Sequence, residues 1–191
     1  MKDVKKNLVK KKSKRHLIKI KKISRDTKYI LLAVGSLLLL KGYVFFNRNP
    51  VRKITSGNNF VAPADGVVEK IEKDSRGYIK IQIFIGLGDV HYQRSPFFGS
   101  IVNIINITGD SSCNKIELST IFGNTIIERW SGILARTVRT SVKVGDVVNK
   151  GDIIGRILLG SHCSITIPKS LKVKVYEGDH LLAGETIIAE L

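Results

Sequence analysis

The chain has 191 residues, 43% of them hydrophobic, and a formal net charge of +16. That length allows one domain with an appendage, and that apolar content supplies a core, so a wholly disordered chain is excluded. The charge is unevenly placed: residues 1–28 hold eleven lysines and two arginines against Asp3 and Asp26, a net of +11, leaving +5 for the other 163 residues.

A basic tail suits nucleic acid or anionic lipid, and the next segment of the chain decides between them. Residues 29–40 carry no charge and are almost wholly apolar, and Gly42-Tyr43-Val44-Phe45-Phe46 continues the run after Lys41. A helix over 29–46 extends about 27 Å at roughly 1.5 Å per residue, close to a ~30 Å hydrocarbon core. Lys41 lies where it can reach the headgroups. We therefore expect residues 1–28 to face an anionic lipid surface, with no nucleic acid partner. Each basic residue there adds on the order of 1 kcal/mol of attraction. Residues 29–46 are expected to anchor the chain in the cell membrane. A signal peptide fits poorly, because the basic region is too long and the run lacks a small-x-small site after it. Arg48, Arg52 and Lys53 place positive charge beyond the run as well, so charge barely orients the segment. A full span and a re-entrant anchor both stay open, and the domain beyond is expected at the cytoplasmic face.

From Phe60 onward the chain reads as strands, at 66–71, 78–85, 100–107, 125–128, 141–144, 152–159, 164–167 and 171–176, separated by Gly or Asp/Asn/Ser turn signals. Tyr78-Ile79-Lys80-Ile81-Gln82-Ile83 alternates strictly, as a half-buried strand does. Apart from a turn near 134–138, the sequence after Phe46 shows no helical period of useful length. One internal repeat stands out: 142–155 and 173–189 share a layout in which a Gly-Asp turn precedes two apolar residues and a second Gly-acid turn opens a strand. Glycine permits the positive φ of such turns and the acid bonds nearby amides. This resembles the hammerhead units of lipoyl- and biotinyl-type barrels. The expected fold is mainly β, a barrel-sandwich-hybrid-like domain with hammerhead repeats behind a basic tail and one membrane-anchoring helix. Cys113 and Cys163 have no metal-ligand spacing and make no disulfide framework; no metal site is expected.

Three segments carry residues capable of chemistry. Ala62-Pro63-Ala64-Asp65-Gly66-Val67-Val68 sets an acid at a proline-led turn. Asp89-Val90-His91-Tyr92-Gln93-Arg94-Ser95-Pro96 gathers an imidazole, a guanidinium and a Ser-Pro turn. Leu158-Leu159-Gly160-Ser161-His162-Cys163-Ser164 places a Gly-Ser step between strands. Singly, Asp65 reads as a turn former, His91 as structural and Gly160-Ser161 as a tight turn.

Together and in this order they resemble the short form of the phosphatidylserine and archaetidylserine decarboxylases. Phe45-Phe46-Asn47-Arg48-Asn49-Pro50-Val51-Arg52 is similar to the segment after that family's anchor. Ser131-Gly132-Ile133-Leu134-Ala135-Arg136 is similar to its Ala-Gly-x-x-Ala-Arg block, and Ile165-Thr166-Ile167-Pro168 to the strand after its cleavage site. The resemblance implies a proenzyme that cuts itself between Gly160 and Ser161, leaving 160- and 31-residue fragments as a heterodimer, with a higher homo-oligomer left open. Ser161 becomes a covalent pyruvoyl cofactor, whose carbonyl takes up the substrate amine and draws electrons from the bond to carbon dioxide. His91 would be the base, with Asp65 fixing its tautomer as in a protease triad. Arg94, Arg136 and His162 are the substrate-binding candidates for a membrane phospholipid. Domains then run 1–28 tail, 29–46 anchor and 47–191 decarboxylase. His162 stands where the family usually has Ser, Thr or Arg, its Asn-Glu-Arg segment has no clear counterpart, and 111–123 looks shortened. The rival readings are a membrane-anchored adaptor built on a barrel sandwich, which assigns no role to Asp65, His91 or Ser161, and an uncleaved, inactive homologue.

Overall fold

In the computed structural model of the chain, residues 24–75, 77–107, 112–132, 137–158 and 161–191 are described, Ser161 by its backbone alone. Of the expected basic tail, residues 1–23 lie outside them. The chain divides into two compact units, residues 1–41 and 42–191. Helix α1 (Arg25–Phe46) is 22 residues long, long and apolar enough to cross a membrane, with no buried residue. It begins before the apolar run because Ser24 caps it, its Oγ accepting the Thr27 N–H at 3.2 Å, and Asp26 sits in the positive first turn. At its end the Asn47 side-chain amide donates to the Tyr43 carbonyl at 2.7 Å, and Pro50 bars continuation.

The rest is mainly β, including a sheet curled as a half-barrel. That sheet runs β13 (His180–Leu181), β2 (Gly66–Lys73), β3 (Tyr78–Ile85), β11 (Ser161–Pro168), β7 (Gly123–Ser131), β6 (Cys113–Thr120), β5 (Gly99–Ile107) and β9 (Val147–Val148). Two three-stranded sheets accompany it: β1 (Asn59–Val61), β14 (Ile187–Glu190), β12 (Lys172–Val173), and β4 (Tyr92–Arg94), β10 (Ile153–Leu158), β8 (Thr137–Thr140). Alternation explains the faces: β3 buries Ile79, Ile81, Ile83 and Ile85 and turns Lys80, Gln82 and Phe84 outward. One core cluster forms around Phe60, Ile81, Ile83, Ile167 and Ile188. A second forms around Ile101, Ile116, Leu118, Ile127 and Ile157.

The structure departs from the expected strands in several places; of 171–176, for one, only Lys172–Val173 pairs as a strand. Residues 141–144 form no strand and lead into a turn at 144–145, where Gly145 has φ +93° and the Asp146 carboxylate accepts the Lys143 N–H at 2.9 Å. Residues 113–120 form a full strand, β6, in the stretch that looks shortened in sequence. The turn expected near 134–138 lies mostly outside the described residues, and Val138 belongs to β8.

The hydrogen bonding is duplicated. Gly145 N–H donates to Ile101 and Gly178 N–H to Val68; Gly151 N–H donates to Ser95 and Gly184 N–H to Ala62, all between 2.8 and 2.9 Å. Ile101 and Val68 in turn donate to the Asp146 and Asp179 carbonyls. The β4–β10 and β1–β14 pairs carry their irregularity at matching positions, Arg94 facing Ile153 as Val61 faces Ile187. Thus Ala62-Pro63-Ala64-Asp65-Gly66-Val67-Val68 and Ser95-Pro96-Phe97-Phe98-Gly99-Ser100-Ile101 occupy equivalent places in two like halves.

Candidate active site

The segment from Phe46 to Arg52 is fastened side chain by side chain. Asn47 Oδ1 accepts from Arg156 Nη1 at 2.6 Å, and Asn49 Oδ1 from Arg94 Nη2 at 2.8 Å. Arg48 stacks on the Phe45 ring, 3.9 Å from its centroid, and donates to the Gly88 carbonyl. Arg52 forms an ion pair with Asp65 at 2.6 Å, both side chains buried. The other Asp65 oxygen accepts the Ala183 N–H at 2.8 Å. A buried carboxylate needs such partners, and Asp65 has one for each oxygen.

His91 is just as buried and differently held. Its Nδ1 lies 2.9 Å from the Asp89 carbonyl oxygen. A carbonyl can only accept, so Nδ1 carries the proton and Nε2 presents a lone pair. Nε2 has no hydrogen-bond partner among the described residues. The Phe46 ring packs against the imidazole, with centroids 4.2 Å apart. Burial lowers the imidazole's proton affinity below the ordinary value; the Asp89 carbonyl opposes this and the nearby Arg48 and Arg156 charges reinforce it. Asp89 is braced in turn: its carboxylate accepts the Gly86 N–H at 2.8 Å and lies 3.2 Å from His180 Nε2.

The expected Asp65–His91 triad contact is therefore not the one these side chains make. Arg52 and a backbone N–H satisfy Asp65, and the tight 89–91 turn supplies His91 with a carbonyl two residues away. Arg52, Asp89, Phe46 and the two asparagines are the supporting residues that sequence reasoning left without roles. Their signal was the Phe45–Arg52 resemblance and, for Asp89, the Asp89–Pro96 block, which mark the segments without saying what each side chain bonds.

Backbone pairing sets His91 beside the strand that precedes residue 161. The Ile157 N–H donates to the His91 carbonyl at 3.0 Å, four residues before Ser161. Ser161 opens β11 opposite Ile85 and Ser131, and Gly86, next to Ile85, belongs to the loop that holds Asp89. Arg94 donates to Gly151 as well as to Asn49. His162 is exposed on the outer face of the sheet, 3.2 Å from Glu69 and edge-on to Phe84. Gly160 and Arg136 lie outside the described residues.

The family model for phosphatidylserine decarboxylase matches residues 39–189. The chain belongs to the phosphatidylserine decarboxylase family. A Methanosarcina mazei protein assigned as an archaetidylserine decarboxylase proenzyme is 35% identical over 170 residues, covering 83% of this chain and 79% of that one. A Methanocaldococcus jannaschii protein with the same assignment is 35% identical over 200 residues, covering 85% and 95%. The phosphatidylserine decarboxylase proenzyme of Geotalea uraniireducens is 32% identical, with 84% of each chain covered. No solved structure gives a significant match. As a member of this decarboxylase family the chain is an enzyme, a carboxy-lyase, so the adaptor reading falls.

Proposed function

We propose that the chain is a proenzyme that cleaves itself between Gly160 and Ser161 and then decarboxylates the serine headgroup of a membrane phospholipid, phosphatidylserine or archaetidylserine. The observation that carries this reading is the unpartnered Nε2 of His91, a buried base on the strand pair that runs into residue 161. His91 Nε2 accepts the Ser161 hydroxyl proton as that oxygen adds to the Gly160 carbonyl. The C–N bond breaks and the acyl group passes to oxygen, giving an ester and a free amine. Loss of the Ser161 α-proton then expels the Gly160 carboxylate. One water enters, one ammonia leaves, and a pyruvoyl group remains on the 31-residue fragment.

A serine-derived group fits these residues, since the imidazole that must remove its protons is neutral and has a free lone pair. The pyruvoyl ketone supplies an electron sink for an amine-bearing substrate. His91 Nε2 holds the proton returned to the substrate carbon once carbon dioxide has left. Asp65 holds Arg52 and the 183 turn in place. Arg94, Arg136 and His162 are proposed to meet the substrate's phosphate and carboxylate. The tail over 1–28 and the apolar 29–46 hold the 47–191 domain at the cell membrane, on its cytoplasmic side, as a heterodimer of the two fragments. The duplicated Gly-Asp turns are read as hammerhead units of a barrel-sandwich hybrid.

Denaturing mass analysis of the purified protein tests this. A fragment of residues 161–191 with a blocked, hydroxylamine-reactive N-terminus is expected, and Ser161→Ala should abolish both the fragment and carbon dioxide release from the lipid. An intact chain in membranes that are turning over substrate would overturn the reading.

A further inference from the structure

The strand register draws a line across the outer face of the large sheet at the end where residue 161 lies. Val67 faces Phe84, Phe84 faces His162, His162 faces Trp130, Trp130 faces Cys113 and Cys113 faces Ile107. Six strands thus contribute one residue each, and the row is apolar or aromatic save for the imidazole. All of it but the buried Cys113 is open to solvent: Val67, Phe84, Trp130 and Ile107 are 36, 44, 41 and 55% exposed. Leu87, in the loop after β3 at the same end, is 65% exposed.

One step further along the same strands the character changes. Lys70, Gln82, Ser164, Glu128 and Lys115 form the next row, which stays apolar only at its β5 end, where Ile105 faces Lys115; Lys80 and Lys115 both turn to Glu128. At the opposite end of the sheet, Ser100 faces Ser119 and Ser119 faces Asn124, so β5, β6 and β7 end on polar residues there, while β3 and β11 end on Tyr78 and Pro168. The continuous apolar row belongs to one end of the domain and, except on β5, is one side chain deep.

We propose that this row is a lipid-docking edge that rests in the boundary between headgroups and acyl chains of a phospholipid bilayer. Three observations select a bilayer over a second protein. The row spans five strand spacings of about 4.8 Å, roughly 24 Å, and one side chain in depth; that area is on the order of 200 Å², against about 800 Å² per partner in a stable protein interface. An apolar aromatic line backed by a polar, lysine-bearing line matches the order of environments met on leaving acyl chains for headgroups. The segment that follows the apolar run is also fastened at this end, Arg48 bonding Gly88 and Phe46 packing on His91. Docked this way, the end that holds residue 161 faces lipid, and a substrate headgroup reaches it without leaving the bilayer. For that consequence the inference rests on the lipid-decarboxylase reading.

Trp130 is the chain's one tryptophan, so it reports on the row directly. The full chain is reconstituted into phosphatidylcholine–phosphatidylglycerol vesicles whose lipids carry bromine at known acyl positions. Docking predicts blue-shifted emission, with stronger quenching by bromines near the carbonyl end of the acyl chain than by deeper ones. Quenching by aqueous iodide and not by bromolipid would overturn the proposal. So would shielding from both, which would place a second protein on the row. A Phe84→Glu/Ile107→Glu chain, changed only at exposed sites, should show KM for vesicle-borne substrate raised about tenfold. Its kcat on detergent-dispersed short-chain phosphatidylserine should stay unchanged; an unaltered KM on vesicles would count against docking. If the decarboxylase reading itself fails, no variant turns over substrate, yet bromolipid quenching of Trp130 still decides the docking question.

Discussion

The two halves of the β domain share a backbone and differ in what they bury. One half sets Asp65 against Arg52 and the Ala183 N–H, where the other has Phe98, exposed. One pairs Ile79 with Ile167 across neighbouring strands; the other pairs Asn114 with Arg129. Arg129 is fully buried, bonded to Asn114, Thr140 and backbone carbonyls, and burial brings its guanidinium down to about 10. Gly155 stands where the first half has Ala189 because a Cβ there would lie 2.0 Å from Arg129 Nη1. What the halves share, the Gly-Asp turns and the Pro-to-Gly spacing, is architecture. Where they differ, side chains were free to take up chemistry or a buried charge.

The largest expected effect breaks the likeness outright. His91→Gln removes the one buried base with a free lone pair among the described residues, and self-cleavage should slow by on the order of 10²–10⁴. The rate of appearance of the 31-residue fragment measures it. A rate unchanged within a factor of two would assign the base elsewhere. Next comes the Asp65–Phe98 contrast. Asp65→Asn leaves buried Arg52 only its longer 3.9 Å contact with Glu185 and should destabilise by up to about 3–5 kcal/mol. Phe98→Asn at the equivalent exposed site should stay within about 0.5 kcal/mol. Urea midpoints of the two variants compare them, and equal shifts would erase the distinction between halves.

The likeness itself can be sharpened at the turns. Gly145 and Gly178 have φ +93° and +94° with open space around a would-be Cβ, while Gly151 and Gly184, at +88° and +81°, both meet Ile54. Alanine at either of the first pair should cost about 1 kcal/mol from backbone strain alone. At either of the second pair overpacking adds a further ~1–3 kcal/mol. Ile54→Ala in the Gly151→Ala background should recover part of that excess, and thermal unfolding of the double variant checks the coupling.

Much of the fold was legible in sequence because it rests on local order, the alternation of β3 and the twin Gly-acid turns; the family was legible from the ordered blocks around Asp65, His91 and Ser161. Strand β6 was not. Its alternation puts Asn114 on the buried face, and only Arg129, a strand away, makes that polar residue acceptable there. Strands β9, β12 and β13 have two residues each, too few to show a period. The partner of Asp65 was hidden for a different reason. Arg52 and Ala183 lie 13 and 118 positions away in the chain, and no linear spacing distinguishes a carboxylate that will orient a histidine from one that will hold an arginine.

The smallest expected effect lies in the acid limb of stability. Burial lowers the His91 pKa in the folded chain, whereas in the unfolded chain it stays near the ordinary ~6.5. Between those two values the unfolded chain binds a proton that the folded chain refuses. Stability therefore falls as pH is lowered through about 6.5, and the loss is complete below the folded pKa. Above about pH 7.5 both states hold a neutral imidazole, and His91 adds no pH dependence. Urea midpoints from about pH 7.5 down to about 5 should show this slope in the Ser161→Ala chain, where self-cleavage cannot intervene, and a shallower one once His91→Gln is added. The same depression keeps Nε2 able to accept a proton below about pH 6.5, so the self-cleavage rate of the native chain should hold there before it drops. A rate that halves at the ordinary histidine pKa would mean that the base is open to water, and the contrast with the fully partnered Asp65 would lose its basis.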